Sequence, residues 1–366
     1  MNELGAIADS YRSFSAEGKQ SVLLTLVDVV GSSCRRPGAK MIVDEEGRST
    51  GFIGGGCLEG DLAEHSRLVL EGDQPKTVTY DLSESGDLAW GLGIGCPGKI
   101  VIFIERVDEN LADRLGEWAL VEEPVVAFTL FEAGEGSSHQ PGARWIMRPD
   151  HSIEDLSADD PIASEMIEIG RKTLASRKPA VEDISDGPAT IRILAEYLQP
   201  PLKLIVFGSG KDAAALLRIA SGMNWAATVV DPGAGDEGIR RYPESAEIIA
   251  EEPLSVFDDL TIDNRTAVVM MSHLYQRDRA LLELLAPSDT NYIGLLGASS
   301  RRDSLLSDLS PQTRESLGDR LHAPVGLDIG GESPEEIALS VAAEIVAVFS
   351  GRKGGFLVER DKPIHG

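Results

Sequence analysis

The sequence predicts an α/β protein in which a C-terminal Rossmann-like domain, a doubly wound parallel sheet, follows an N-terminal α+β domain. Three observations carry this. The second half alternates near-continuous apolar runs with amphipathic helical segments, the pattern of a parallel sheet covered on both faces. One of those runs, "KLIVF", enters a G-x-G-x-x-A turn from which a helix opens. The first half instead has β-branched strands joined by turns such as Pro37-Gly38 and "DEEGRS", which suit a hairpin sheet.

The bulk composition sets bounds on function. A chain of 366 residues is long enough for two or three domains, each with its own core. Sixty acidic against 34 basic residues give a formal charge of −26, which opposes phosphate backbones and anionic lipid surfaces, so neither nucleic acid nor membrane is an expected partner. An anionic small ligand needs local help from glycine amides, helix N-termini or clustered cations. No apolar run reaches membrane-spanning length and no signal segment opens the chain, so a cytoplasmic protein is expected. Three cysteines, Cys34, Cys57 and Cys96, are too few for a disulfide scaffold and are expected as thiols.

The N-terminal domain is expected over residues 1–199. Its strands are "SVLLTLVDVV" (21–30), "AKMIV" (39–43), "TGFIGG", "TVTYDL" (77–82), "KIVIFIERV" (99–107), "PVVAFTLFEAG", "ARWIMRP" and "ATIRILAEYL" (189–198). "CLEGDLAEHSRLVL" has helical spacing of leucines, and a linker helix is expected at about 160–176. The stiff Pro200-Pro201 step marks the junction to a C-terminal domain over 200–351, with a charged, flexible tail at 352–366. The last helix should open on a capping box, Ser333 with Glu336.

In the C-terminal half the turn Gly208-Ser209-Gly210-Lys211-Asp212-Ala213 follows a strand and starts a helix, and Asp231 ends the next strand, "ATVVD". In a Rossmann fold such glycines let the backbone turn against a diphosphate, the helix N-terminus supplies donors, and the acid accepts ribose hydroxyls. An NAD(P) or other nucleotide is therefore a candidate ligand. The competing reading is a glycine turn kept for helix–strand packing, with Asp231 a turn former. Later strands also end in polar residues where the ligand crevice lies. Ser272-His273 follows "VVMM", with His273 a candidate acid, base or ligand. Ser299, Arg301 and Arg302 follow the strand "YIGLL" at the opening of a helix and form a candidate anion site. His322 and Asp328 lie in the glycine-rich "RLHAPVGLDIGG".

Two loops in the first half place a thiol directly after glycine: Gly54-Gly55-Gly56-Cys57 and Gly93-Ile94-Gly95-Cys96. Glycines let a bulky ligand lie against bare backbone, and a soft sulfur beside it suits a transition metal. Cys57 also falls at a helix N-terminus, which favours thiolate. Both cysteines read equally as small buried hydrophobes beside turn glycines. No C-x-x-C spacing supports structural zinc. Arg35, Arg36 and Lys40, threaded by Pro37 and Gly38, form a candidate phosphate clamp in an otherwise acidic chain.

Together "GSSCRRPGAKMIV", "GFIGGGCLEGDL", "GLGIGCPG", "LIVFGSGKDAAAL", "VVMMSHLYQRD", "YIGLLGASSRR" and "RLHAPVGLDIGGESPEEIALSVAAEIVA" resemble the xanthine dehydrogenase accessory factor family, the XdhC/CoxI group, in the family's order from about Ser21 to Ser350. The resemblance implies a chaperone that binds and protects the molybdenum cofactor (molybdopterin), assists its sulfuration, and delivers it to an apo xanthine dehydrogenase-type molybdoenzyme. A cysteine desulfurase is the implied second partner. By resemblance Cys57 and Cys96 are the cofactor contacts, including to its metal, with Arg36 and Lys40 in the matching basic loop. Lys211 and Leu274 depart from residues usual in the family, so the family's own ligand or proton role is not carried over there, while Lys211 remains a candidate contact for a phosphate. The rival reading is an NAD(P)- or flavin-dependent oxidoreductase using His273 or His322 as proton donor. A third is a protein that handles a cofactor nucleotide. A homodimer is expected because closed two-fold assemblies are commonest.

Overall fold

The structure, a computed structural model, describes residues 3–31, 35–54, 58–72, 74–81, 98–234 and 241–359. The chain divides between Pro200 and Pro201 into two compact units.

The N-terminal unit runs α1 (Glu3–Ala16), β1 (Ser21–Gly31), β2 (Lys40–Asp44), β3 (Ser49–Gly51), α2 (Glu59–Gly72), β4 (Lys76–Asp81), β5 (Gly98–Arg106), α3 (Glu109–Ala119), β6 (Val125–Ala133), β7 (Arg144–Met147), α4 (Ala163–Ser176), β8 (Ala180–Asp186) and β9 (Ala189–Leu198). Its strands make two antiparallel sheets, β3-β2-β1-β5-β4 and β7-β6-β9-β8. Strand β1 is buried without alternation from Ser21 to Val27 because both of its faces are covered. Val22, Leu24 and Leu26 pack with Ile100, Ile102 and Ile104 of β5 and with Leu58 and Leu62 at and within α2. On the opposite face, Val27 and Phe103 meet Phe131 and Leu194 of the second sheet.

Ion pairs join the two sheets. Lys40 of β2 donates to both carboxylate oxygens of Glu196 on β9, at 2.6 and 2.7 Å, with both side chains buried. Arg144 of β7 grips Glu105 of β5 through both terminal nitrogens, also buried. Arg192 of β9 reaches Asp28 of β1 at 3.1 Å. In the two buried pairs each charge offsets part of the desolvation cost of the other, and all three pairs tie one sheet to the other.

Asp186, 2% exposed at the end of β8, is held differently. It accepts from the Ser137 hydroxyl at 2.6 Å and from the Ser138 amide and hydroxyl, both at 2.8 Å, with His139 Nδ1 at 3.3 Å. Burial, the largest single influence, opposes ionisation. These donors outweigh it and hold the carboxyl well below the usual range. Asp186→Asn is therefore expected to cost about 1.5–3 kcal/mol at neutral pH. A lowered folded-state pKa stabilises above the ordinary carboxylate pKa, so the gap between wild type and variant should narrow as pH falls below about 4. Urea unfolding at a series of pH values measures both effects.

The C-terminal unit runs β10 (Lys203–Phe207), α5 (Lys211–Gly222), β11 (Ala226–Val230), β12 (Glu247–Ile249), α6 (Pro253–Val256), β13 (Thr266–Met270), α7 (Tyr275–Leu285), β14 (Tyr292–Leu295), α8 (Ser299–Asp308), α9 (Pro311–Leu317), β15 (Leu321–His322) and α10 (Pro334–Phe349). The sheet is parallel throughout in the order β12-β11-β10-β13-β14-β15, the Rossmann arrangement 3-2-1-4-5-6. Leu204, Val206 and Val269 face α5 and α10, while Ile205, Phe207, Val268 and Met270 face α7, α8 and the residues around α9. Helix α10 opens on the capping box of Ser333 and Glu336, with both reciprocal bonds present. Among the described residues no helix is long and apolar enough to cross a membrane.

Candidate functional site

The parallel sheet brings several of the expected residues to its C-terminal edge. Strand β10 runs into Gly208, which has φ +127°. A Cβ there would lie 2.4–2.6 Å from the backbone of Met271 and Ser272 at the end of β13, so glycine is required by the neighbouring strand itself. Gly210, φ +123°, is different: nothing lies within 4 Å of where its Cβ would be. It is the N-cap of α5, and no side chain caps the first-turn amides. Lys211, exposed, and Asp212, half-buried, follow in that first turn. The turn therefore fits the phosphate end of a nucleotide or another phosphorylated ligand.

Asp231 does not complete that fit. It is 3% exposed, and both its oxygens are engaged: Oδ1 accepts from the Gly233 amide at 2.8 Å and Oδ2 from the Tyr242 hydroxyl at 3.0 Å. Burial, and next the bond to Asp231, push the Tyr242 phenol up to about 12, so it remains a donor at neutral pH. In this conformation the acid expected to accept a ribose diol is spent within the protein.

Just beyond β13, His273 is exposed and takes a left-handed backbone conformation, φ +56°. For a residue with a side chain this is strained, and such strain gathers at ligand-facing edges. Beside it Ser272 and Arg301 share one carboxylate: Asp278, 1% exposed, accepts from the Ser272 hydroxyl through Oδ1 and from Arg301 Nη2 at 2.7 Å through Oδ2. The Arg301 guanidinium also lies 5.9 Å from the Tyr275 ring. The expected anion clamp is thus an ion pair that ties α8 to α7. Ser299 is exposed at the start of α8. Sequence reasoning does not single out Asp278; its only signal is an acid in the first turn of a helix after a polar strand end.

His322 is oriented by Glu344 of α10, at 3.2 Å from Nδ1, and stacks on Tyr292 with centroids 4.4 Å apart. Glu344 also accepts from the Tyr292 hydroxyl at 2.6 Å and the Gly326 amide at 2.8 Å. The histidine is placed on the edge strand of the sheet.

In the N-terminal unit Lys40 is a correction. Its ammonium is buried, only 2% exposed, and satisfied by Glu196, so it is no part of a phosphate clamp. Gly38 serves the same pair: with φ +98°, its absent Cβ would lie 2.7 Å from Glu196 Oε1. Arg35 pairs with Glu3 at 2.7 Å. Arg36 is half-buried at the turn, and Gly54 has open space where a Cβ would stand. Gly55, Gly56, Cys57, Gly95 and Cys96, with Cys34, lie outside the described residues. Among the described residues no group of three or more His, Cys, Asp or Glu side chains is arranged to hold a metal ion.

Comparison with known proteins decides the family. Residues 204–345 match the model of the XdhC Rossmann domain, and residues 14–81 that of the XdhC and CoxI family, together more than half of the chain. The chain belongs to the XdhC and CoxI family. It is 28% identical over 333 residues to a probable xanthine dehydrogenase component of Bacillus subtilis, covering 90% of this chain and 93% of that one. The Escherichia coli molybdenum cofactor insertion chaperone PaoD is 22% identical over 90% of this chain and 84% of its own. A crystal structure titled as a xanthine dehydrogenase from Bacillus halodurans superposes with a TM-score of 0.74 at 28% identity, over 95% of this chain and 96% of the other. In this XdhC-type chain the Rossmann glycines are in place, while the acid and Arg301 are engaged internally.

Proposed function

We propose that this protein is a molybdenum-cofactor chaperone, which binds and protects the cofactor, assists its sulfuration, and inserts it into an apo xanthine dehydrogenase-type molybdoenzyme. The likeness to an insertion chaperone over nearly the whole of both chains is the observation that carries the reading. The chemistry of the residues supports it. The cargo is anionic through its phosphate and holds its metal through soft sulfur. Within the C-terminal unit, taken by itself, Gly210 and the first turn of α5 offer amides to a phosphate group, with Lys211 beside them. Cys57 and Cys96 are proposed as the thiols that contact the cargo, with Arg36 and Gly54 in the adjoining loops. A cysteine desulfurase supplies the sulfur, the assembly is a two-fold dimer, and the setting is the cytoplasm.

The reading as an NAD(P)- or flavin-dependent oxidoreductase rests on the strand order and the Gly208–Ala213 turn, with His273 or His322 as proton donor. The engagement of Asp231 by Tyr242 and Gly233 counts against a ribose diol at that position. Activation of a purified apo-molybdoenzyme separates the two. Wild type is expected to restore client activity, Cys57→Ser and Cys96→Ser to lose most of it while staying folded, and no nicotinamide-linked turnover to appear. Serine variants that activate the client fully remove the thiols from the account. Nicotinamide oxidation abolished by Gly210→Val but untouched in the cysteine variants would favour the oxidoreductase.

A further inference from the structure

The N-terminal unit contains a cleft of about 430 Å³ that the proposed function does not use. It lies between the end of β5, the start of α3, and β7 with the turn before it, and three arginines and three acids line it: Arg106, Arg114, Arg144, Glu105, Asp108 and Asp155. The volume lies within the range of small-molecule sites. The charges balance, in a chain whose formal charge is −26. Glu105 and Arg144 are paired with each other, so a simple anion would face Asp108 and Asp155 there and a simple cation Arg106 and Arg114. A ligand carrying both charges a few bonds apart meets neither problem.

The internal bonding leaves defined donors and acceptors over. Arg144, 9% exposed, gives its two terminal nitrogens to Glu105 and to the Gly142 carbonyl, yet its Nε–H is buried without an acceptor. A buried donor of this kind is unfavourable unless something supplies an oxygen. Asp108 uses Oδ1 to cap α3 at the Leu111 amide. Asp155 lines the cleft with its side chain 73% exposed and its Oδ2 3.2 Å from Arg114 Nη2. Arg114 in turn donates Nη1 to the Arg144 carbonyl at 3.0 Å, so the two arginines form one wall.

We infer that this cleft binds a small zwitterion of the amino-acid type, its carboxylate toward Arg114 and Arg144 and its ammonium toward Asp155 and Asp108. The inference does not depend on the chaperone reading. Isothermal titration of the full-length protein with L-alanine and L-cysteine tests it, with acetate and ethylammonium as the single-charge counterparts. Saturable binding of the amino acids is expected, with each single-charge probe at least tenfold weaker. Arg114→Gln and Asp155→Asn should each weaken the amino acids at least tenfold, and because the Asp155 side chain is 73% exposed the thermal midpoint of that variant should stay at the wild-type value. Absence of amino-acid binding overturns the inference. So does acetate binding as tightly as alanine, or binding that neither substitution changes.

Discussion

Lys40→Met, with Glu196 left in place, is expected to destabilise the N-terminal unit by about 3–5 kcal/mol. The reason is asymmetric. The wild-type pair is buried at 2% and 9% side-chain exposure, and its ammonium also donates to the Gly38 carbonyl at 3.2 Å. Removing the cation strands a carboxylate between two sheets with no countercharge, and that stranding supplies most of the cost. The double variant Lys40→Met with Glu196→Leu should regain most of the loss, because two apolar side chains bury without a penalty of this kind. Urea unfolding of the three proteins measures it. If the single variant matches wild type, Lys40 is not held as described and its ammonium is available to a ligand after all.

Gly208→Ala is expected to be nearly as damaging, at about 3 kcal/mol or more, through a different physical route. The new methyl would sit 2.4 Å from the Met271 carbonyl carbon and 2.6 Å from the Ser272 amide nitrogen, at a φ that residues with a side chain rarely adopt. Backbone atoms of a central strand cannot yield as a side chain does, so β10 and β13 must separate at the edge where the ligand crevice begins. Gly210→Ala meets no atom and carries only the strain of its φ, about 1–3 kcal/mol. Thermal unfolding should rank the two in that order. Equal effects would mean that both glycines are kept for backbone conformation alone.

The Rossmann unit is legible in the sequence because its signals are local. "KLIVF", the glycine turn and the helix after it are adjacent in the chain, and apolar strands between amphipathic helices identify a parallel sheet without any long-range knowledge. Strand β12, three residues long at the sheet edge, escapes because so short an edge has no pattern to show. In the first half the strands are largely visible, yet their division into two sheets is not. Strand β8, "AVEDISD", is a polar edge strand and gives no apolar run to read. The pairing of Lys40 with Glu196 spans 156 residues, so a basic loop with the look of a clamp proves to be a staple between sheets. The same limit applies to Asp231. Its position at a strand end is readable, whereas the Tyr242 hydroxyl that occupies it depends on how the following segment folds back.

The central claim is that this chain carries the molybdenum cofactor, and one measurement addresses it directly: native mass spectrometry with metal analysis of the purified protein, produced in a host that makes molybdopterin and in one that does not. The account predicts a mass increment matching a molybdopterin species, together with molybdenum, only in the first preparation. Identical masses from both hosts with no molybdenum, or a nicotinamide or flavin dinucleotide bound in both, would contradict it.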